Sequence, residues 1–169
     1  MIPRNAAFWI SELQLIKHIE GGSFRETYRS ATAVIPGDAD TNLTETRVAS
    51  TAIYFLLEQG QYSAFHKIKS DEIWHFYDGD PLDIFEIDKQ GALIVHKLGR
   101  DISKGESFQV VIPATHWFGS RVAKGGSFSL VGCTVAPGFE FADFELADRD
   151  LLTAKYPKYH ALIAEMTYK

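Results

Sequence analysis

The stretch that decides the fold is 60-GQYSAFHKIKSDEIWHFYDGD-80. Two runs inside it, SAFHKI (63–68) and DEIWHFY (71–77), alternate in the period of two expected of strands with one buried face, and Gly60 and Asp78-Gly79-Asp80 close them off as turns. Alternation assigns the faces. If Glu72 points inward, Trp74 and Phe76 do too, while Ile73, His75 and Tyr77 point out. An acid among inward aromatics is costly to bury without a partner, so His66 and Glu72 stand out as a candidate functional pair. Asp71 is read as a solvent-facing turn residue.

Outward from this stretch the pattern repeats. SFRETYRS, STAIYFLLE, PLDIFEID, ALIVHKLG, SFQVVIP, FGSRVA and FSLVGCTVAP are further strand-like runs, separated by Gly-, Pro- and Asp-rich turns and by no intervening helix. Many short strands in this spacing predict an antiparallel β-sandwich or barrel, folded as a single domain over 1–169. Helices are expected only at the ends. Asn5 caps an N-terminal one with Trp9, Leu13 and Ile16 on its apolar face. At the other end a short helix breaks near Pro157, and a second carries Tyr159, Leu162, Ile163 and Met166 as its stripe. The irregular segment PGDADTNLTE (36–45) is expected to be a mobile rim element.

Composition excludes several functions. Net charge is −5 among 169 residues and no Lys/Arg run occurs, which argues against a nucleic-acid partner. The opening MIPRNAAFWISEL is interrupted by Glu12 and reads neither as a signal peptide nor as part of a membrane span, so the expected compartment is the cytoplasm. Asn42-Leu43-Thr44 matches a glycosylation acceptor by chance in that setting. The lone cysteine, Cys133, lies in an apolar run and reads as a buried small hydrophobe.

Gly60, His66, Glu72 and Gly79 fall on the spacing of the first cupin motif, which runs glycine, five residues, His-x-His, three or four residues, glutamate, six residues, glycine. Ile68 stands where the second histidine belongs. Gly105 and Pro113 resemble the second motif, with Phe118 where its histidine would be. More widely, EGGSFRETYRS, STAIYFLL, FHKIKSDEIWHFYDGDPL, PATHWFGSR and APGFEFADFEL resemble the cupin-5 group, once a domain-of-unknown-function family. The resemblance implies a double-stranded β-helix, that is, an all-β jelly roll with short terminal helices, often a homodimer and broadly described as a predicted sugar epimerase. Cupin metal sites use three histidines and a glutamate. This chain keeps His66 and Glu72, and His75, through a bulge, or His116 would have to complete the set. A tightly held cofactor is therefore not expected, and weak occupation by a divalent metal stays open.

The metal-free reading makes His66 a base, Glu72 its orienting partner, and Trp74 with Phe76 a platform for a sugar-like ligand. The resemblance to metal-free keto-sugar epimerases implies a tyrosine opposite, for which Tyr54 and Tyr28 are candidates. Arg47, His116 and Phe118 join the candidate ligand-binding set. A nucleotide sugar would need Arg25, Arg29, Arg47 or Arg121 for its diphosphate, and Arg25 and Arg29, at even spacing, equally suit an edge strand or dimer contact. His18, His96 and His160 read as surface residues, and Phe139 and Phe144 as lid or core. The expected function is binding, with epimerisation or isomerisation, of a small carbohydrate-like molecule. The alternatives are a metal-dependent oxygenase or isomerase and a non-catalytic small-molecule-binding protein.

Overall fold

The structure, a computed structural model, describes residues 4–35, 43 and 45–169. The rest of the expected rim segment and the Asn42-Leu43-Thr44 acceptor lie outside the described residues apart from Leu43 and Glu45. Among the described residues thirteen strands are formed: β1 (Ile16–Lys17), β2 (Ser23–Arg29), β3 (Ala33–Val34), β4 (Arg47–Val48), β5 (Thr51–Glu58), β6 (Tyr62–Lys67), β7 (Asp71–Gly79), β8 (Leu82–Ile87), β9 (Leu93–Leu98), β10 (Gln109–Ile112), β11 (Trp117–Val122), β12 (Phe128–Ala136) and β13 (Glu145–Leu146). The helices are α1 (Ala6–Glu12), α2 (Arg149–Lys155) and α3 (His160–Glu165).

Two antiparallel sheets face each other, one in the order β1-β2-β5-β12-β7-β10 and the other β13-β6-β11-β8-β9, with β3 and β4 as a separate ribbon. The nine alternating runs predict an antiparallel sandwich or barrel and the cupin resemblance a jelly roll; the two sheets form that sandwich, and each of those runs holds one of the longer strands. Glu72, Trp74 and Phe76 point between the sheets as alternation requires, and there Trp74, Phe55 and Phe118 pack edge to face with Leu57, Ile84, Val131 and Cys133. Burying such a ring contributes about 2–3 kcal/mol. Gly60 and Gly79 carry positive φ, 82° and 90°, and a Cβ on Gly79 would stand 2.4 Å from the Phe128 carbonyl oxygen. The motif's glycines therefore make the turns at either end of β6 and β7.

The terminal helices cover the outer faces. The Asn5 side chain accepts from the Phe8 N–H and starts α1, as expected. The helix ends at Glu12, earlier than the Trp9/Leu13/Ile16 spacing predicts. Gln14 turns the chain through φ 54°, and Ile16 enters β1, paired with Phe24 and 64% exposed. Trp9, Leu13 and Leu15 still pack on Leu56, Phe128 and Leu130. At the other end Ile163 and Met166, with Tyr159 and Leu162, close over Phe65, Phe85 and Ile87. Among the described residues no helix is long and apolar enough to cross a membrane.

Candidate functional site

A cavity of about 110 Å³ opens between the sheets. Its walls come from β2, β5, β12 and β7 on one side and β6 on the other, with residues 139–141 across the mouth. His66, inward on β6, has its ring fixed by Nδ1–H donating to the Ala64 carbonyl at 2.8 Å. That bond leaves the lone pair of the neutral ring on Nε2, which stands 3.4 Å from a Glu20 carboxylate oxygen. The same Glu20 oxygen lies 3.6 Å from His18 Nδ1, and the other accepts from the Ser63 hydroxyl at 3.0 Å. Burial holds the His18 imidazole below the usual histidine range, a shift Glu20 opposes and His66 reinforces.

Glu72 faces this group from the opposite sheet. Its carboxyl is buried and hydrogen-bonded to the Cys133 thiol, and burial, reinforced by the Glu20 charge, pushes its pKa up to about 8. The thiol itself is driven well above its ordinary range, by burial first and Glu72 next. At neutral pH the site thus holds a protonated carboxyl on one wall and an imidazole beside a second carboxyl on the other. Cys133 is buried as expected, and it also lines the cavity.

The mouth is spanned by a strap. After β12, Gly138 N–H donates to the Val48 carbonyl and Phe139 N–H to the Thr51 hydroxyl, and β13 then pairs with β6, carrying the chain from one sheet to the other. Along it Phe139 and Phe141 line the cavity, while Phe144 stacks on His66 with ring centroids 5.2 Å apart. Asp143 anchors the strap by two hydrogen bonds from Arg47, at 2.6 and 2.8 Å, with Lys69 3.5 Å away. These cations hold the Asp143 carboxyl below the usual carboxylate range. Phe139 and Phe144, expected as lid or core, lie on this strap and pack against the core between the sheets.

Several other candidates fall elsewhere. Glu72 bonds to Cys133, and among the described residues the acid within ion-pair distance of His66 is Glu20, so Glu72 is not the orienting partner. Tyr54 lies on the outer face of β5 against Tyr77 and the α1 packing, because Ile53 and Phe55 take the inward positions. Tyr28 is 54% exposed and does not line the cavity. Trp74 is 1% exposed beneath the site and presents no open ring face, and Phe76 lies outside the lining under the Arg100 guanidinium. Phe118 lies against His66 as buried packing.

Arg47 is committed to Asp143 and the Glu45 carboxylate, and is not a free ligand fork. His116 Nδ1 lies 2.5 Å from one Glu86 oxygen, and His96, half-buried rather than on the surface, meets the other oxygen of the same carboxyl. His75 points out, toward Thr134 and Gln109. His160 is exposed, as expected. A bulge between Glu26 and Tyr28 breaks the shared face of Arg25 and Arg29: Glu26 and Arg29 line the mouth, while Arg25 lies over Tyr54 outside. His18, expected at the surface, instead lines the cavity with its side chain 9% exposed, and Glu20 is the residue missed outright. They sit in a turn beside the two-residue β1, where alternation is too brief to read, and the only signal is that they flank the 59% exposed Ile19.

The donor set does not fit the metal that the fold's motif implies. Ile68 and Phe118 occupy two of the four ligand positions, Glu72 is bonded to a thiol, and His75 and His116 turn to other partners. Among the described residues no three His, Cys, Asp or Glu side chains are grouped to hold a metal ion.

Known proteins resemble this chain over most of its length. The profile of the family described as Cupin superfamily (DUF985) matches residues 7–147. Uncharacterized protein YML079W of Saccharomyces cerevisiae is 32% identical over 143 residues, 79% of this chain and 71% of that protein. A hypothetical protein from Leishmania major superposes with a TM-score of 0.90 at 36% identity, covering 98% of this chain and 100% of that one. Protein SO0799 from Shewanella oneidensis does so with a TM-score of 0.86 at 40% identity, covering 98% and 99%.

Proposed function

The chain belongs to the DUF985 family of the cupin superfamily, and from that premise we propose that it takes a small hydroxycarbonyl, carbohydrate-like molecule into the cavity and isomerises it by proton transfer next to the carbonyl. The observation that carries this reading is the pairing of unlike groups across one small space: His66 with Glu20 on one wall, and on the other Glu72, its pKa raised to about 8. Titratable groups whose environments drive them apart are the means by which one site does acid and base work together.

In this reading His66 Nε2 removes the proton from the carbon beside the carbonyl, and the Glu20 carboxylate stabilises the imidazolium that forms. The Glu72 O–H donates to the carbonyl oxygen as it gains negative charge, and Glu72 takes the proton of the neighbouring hydroxyl as the enediol rearranges. His66 then returns its proton to the adjacent carbon. No net oxidation occurs and no metal takes part. One base serving two neighbouring carbons suits isomerisation better than epimerisation, which needs a second acid on the far face of the ring. Tyr54 and Tyr28, the candidates for that acid, lie outside the cavity. The strap, with Phe144 on His66, supplies the exclusion of water that keeps an enediol from side reactions.

The test is solvent exchange. Free aldoses and ketoses of three to six carbons are incubated with the protein in deuterium oxide, and loss of the hydrogen next to the carbonyl is followed by NMR. Exchange should fall by about 100-fold or more in His66→Ala, in a variant that still unfolds in one cooperative transition. Equal exchange in wild type and variant sinks the assignment.

A further inference from the structure

Among the described residues the walls of the cavity carry four glutamates, Glu20, Glu26, Glu72 and Glu140, and a single guanidinium, that of Arg29. At the mouth, Glu26 grips Arg29 with both oxygens, from Nε at 3.1 Å and from one terminal nitrogen at 2.9 Å, while Glu140 accepts from the other terminal nitrogen at 2.6 Å. The Phe139 carbonyl takes a further contact at 3.3 Å. The fork that would receive a phosphate or carboxylate is thus filled by the protein's own acids. No other arginine considered for a diphosphate is free at this mouth: Arg47 is held by Asp143, Arg25 lies over Tyr54 on the outer face, and Arg121 pairs with Glu165 over Phe85.

We propose that Glu26 and Glu140 form an anion filter at the mouth, so that the site admits uncharged hydroxycarbonyls and rejects phosphorylated or nucleotide-linked ones. The inference builds on the proposed carbohydrate-like ligand and narrows it. The repulsive element is as much a part of specificity as the attractive contacts are. A phosphate ester entering would meet two carboxylates at the rim and Glu20 inside, and it could claim Arg29 only by displacing two acids already bonded to it. A neutral ligand meets none of these costs and keeps the whole network intact. Size agrees: a cavity of about 110 Å³ falls below the roughly 300–1,000 Å³ of pockets that take drug-sized ligands, too little to enclose a nucleotide.

The experiment frees the guanidinium. Glu26 and Glu140 are each more than two-fifths exposed at the side chain, so the double variant E26Q/E140Q keeps shape and fold while removing both charges. Binding of inorganic phosphate, and of dihydroxyacetone beside dihydroxyacetone phosphate, is measured by calorimetry at fixed low salt for wild type, E26Q/E140Q, and E26Q/E140Q/R29M. The filter requires phosphate affinity in the double variant about tenfold or more above the wild-type value or its detection limit, and loss of that gain in the triple variant. Phosphate bound equally by wild type and the double variant, or a gain that survives Arg29→Met, overturns it. This arm is independent of the proposed chemistry, which fails separately if no hydroxycarbonyl exchanges deuterium at His66.

Discussion

Glu86 and Glu20 are both buried glutamates set between two histidines inside the same barrel, one closed and the other open. Glu86, on β8, gives one oxygen to His96 Nε2 at 2.6 Å and the other to His116 Nδ1 at 2.5 Å. Glu20 reaches His66 and His18 only at 3.4 and 3.6 Å through a single oxygen, and it lines a cavity. The residue types are the same, and the difference is whether the protein uses up their hydrogen-bonding capacity or leaves it to something else. A carboxyl with both oxygens engaged at short distance is scaffold, tying β9 and the entry to β11 onto β8. One held loosely beside open space is available to a ligand.

The largest effect that would break this comparison is on stability. Glu86→Gln places an amide nitrogen where an oxygen met an imidazole, and should cost about 2–3 kcal/mol. Glu20→Gln keeps the acceptor for Ser63 and should cost less than about 1 kcal/mol, while lowering exchange at His66. Denaturant unfolding of the two variants measures both. If Glu20→Gln proves as costly as Glu86→Gln, Glu20 is structural and the distinction between the clusters collapses.

The same contrast explains what the sequence could reveal. Strand existence was legible because turns punctuate the runs, and the faces of β7 were legible because Trp74 and Phe76 alternate with the more polar His75 and Tyr77, which puts Glu72 on the face of the two aromatics. In β5 both faces are buried: Phe55 is 1% and Leu56 0% exposed, since α1 covers the outside. Alternation carries no sign in such a run, so Tyr54 could be assigned to either side. The Glu26/Tyr28 bulge likewise separates Arg25 from Arg29 without any composition cue. His66 and Glu72 were recoverable from spacing. Their actual partners were not, because Glu20 and Cys133 reach them from β strands and turns distant in the chain.

Glu72 sharpens the comparison on the pH axis. Its folded-state pKa, about 8, lies above the ordinary carboxyl value of 4.5, so the folded protein binds a proton the unfolded chain has released between those limits. The stability associated with the protonated carboxyl is complete below about pH 4.5 and is lost as pH rises toward 8. Gln at this position is neutral at every pH. The advantage of Glu72→Gln over wild type should therefore be near zero at the acid end and grow steadily as pH rises toward 8. Melting curves of both proteins across that range check it. A constant offset between them would mean that Glu72 is not held protonated, and the acid half of the proposed chemistry would go with it.

The smallest expected effect tests the outer face against the inner. Tyr54 packs edge-on to Tyr77 with ring centroids 5.9 Å apart, under the Arg25 guanidinium and opposite Gly132, where a Cβ would collide with the Tyr77 ring. What Tyr54 contributes there is ring area, which phenylalanine retains. Tyr54→Phe should change stability by less than about 0.5 kcal/mol and leave deuterium exchange at wild-type rate, whereas a tyrosine acting as the second acid would lose about 100-fold or more. Only a fall in exchange without a fall in melting temperature would return Tyr54 to the chemistry. Because its hydroxyl is on the far side of β5 from His66, that outcome would also require the sheet to open during turnover, which makes an unperturbed rate the result consistent with a cavity confined to the space between the sheets.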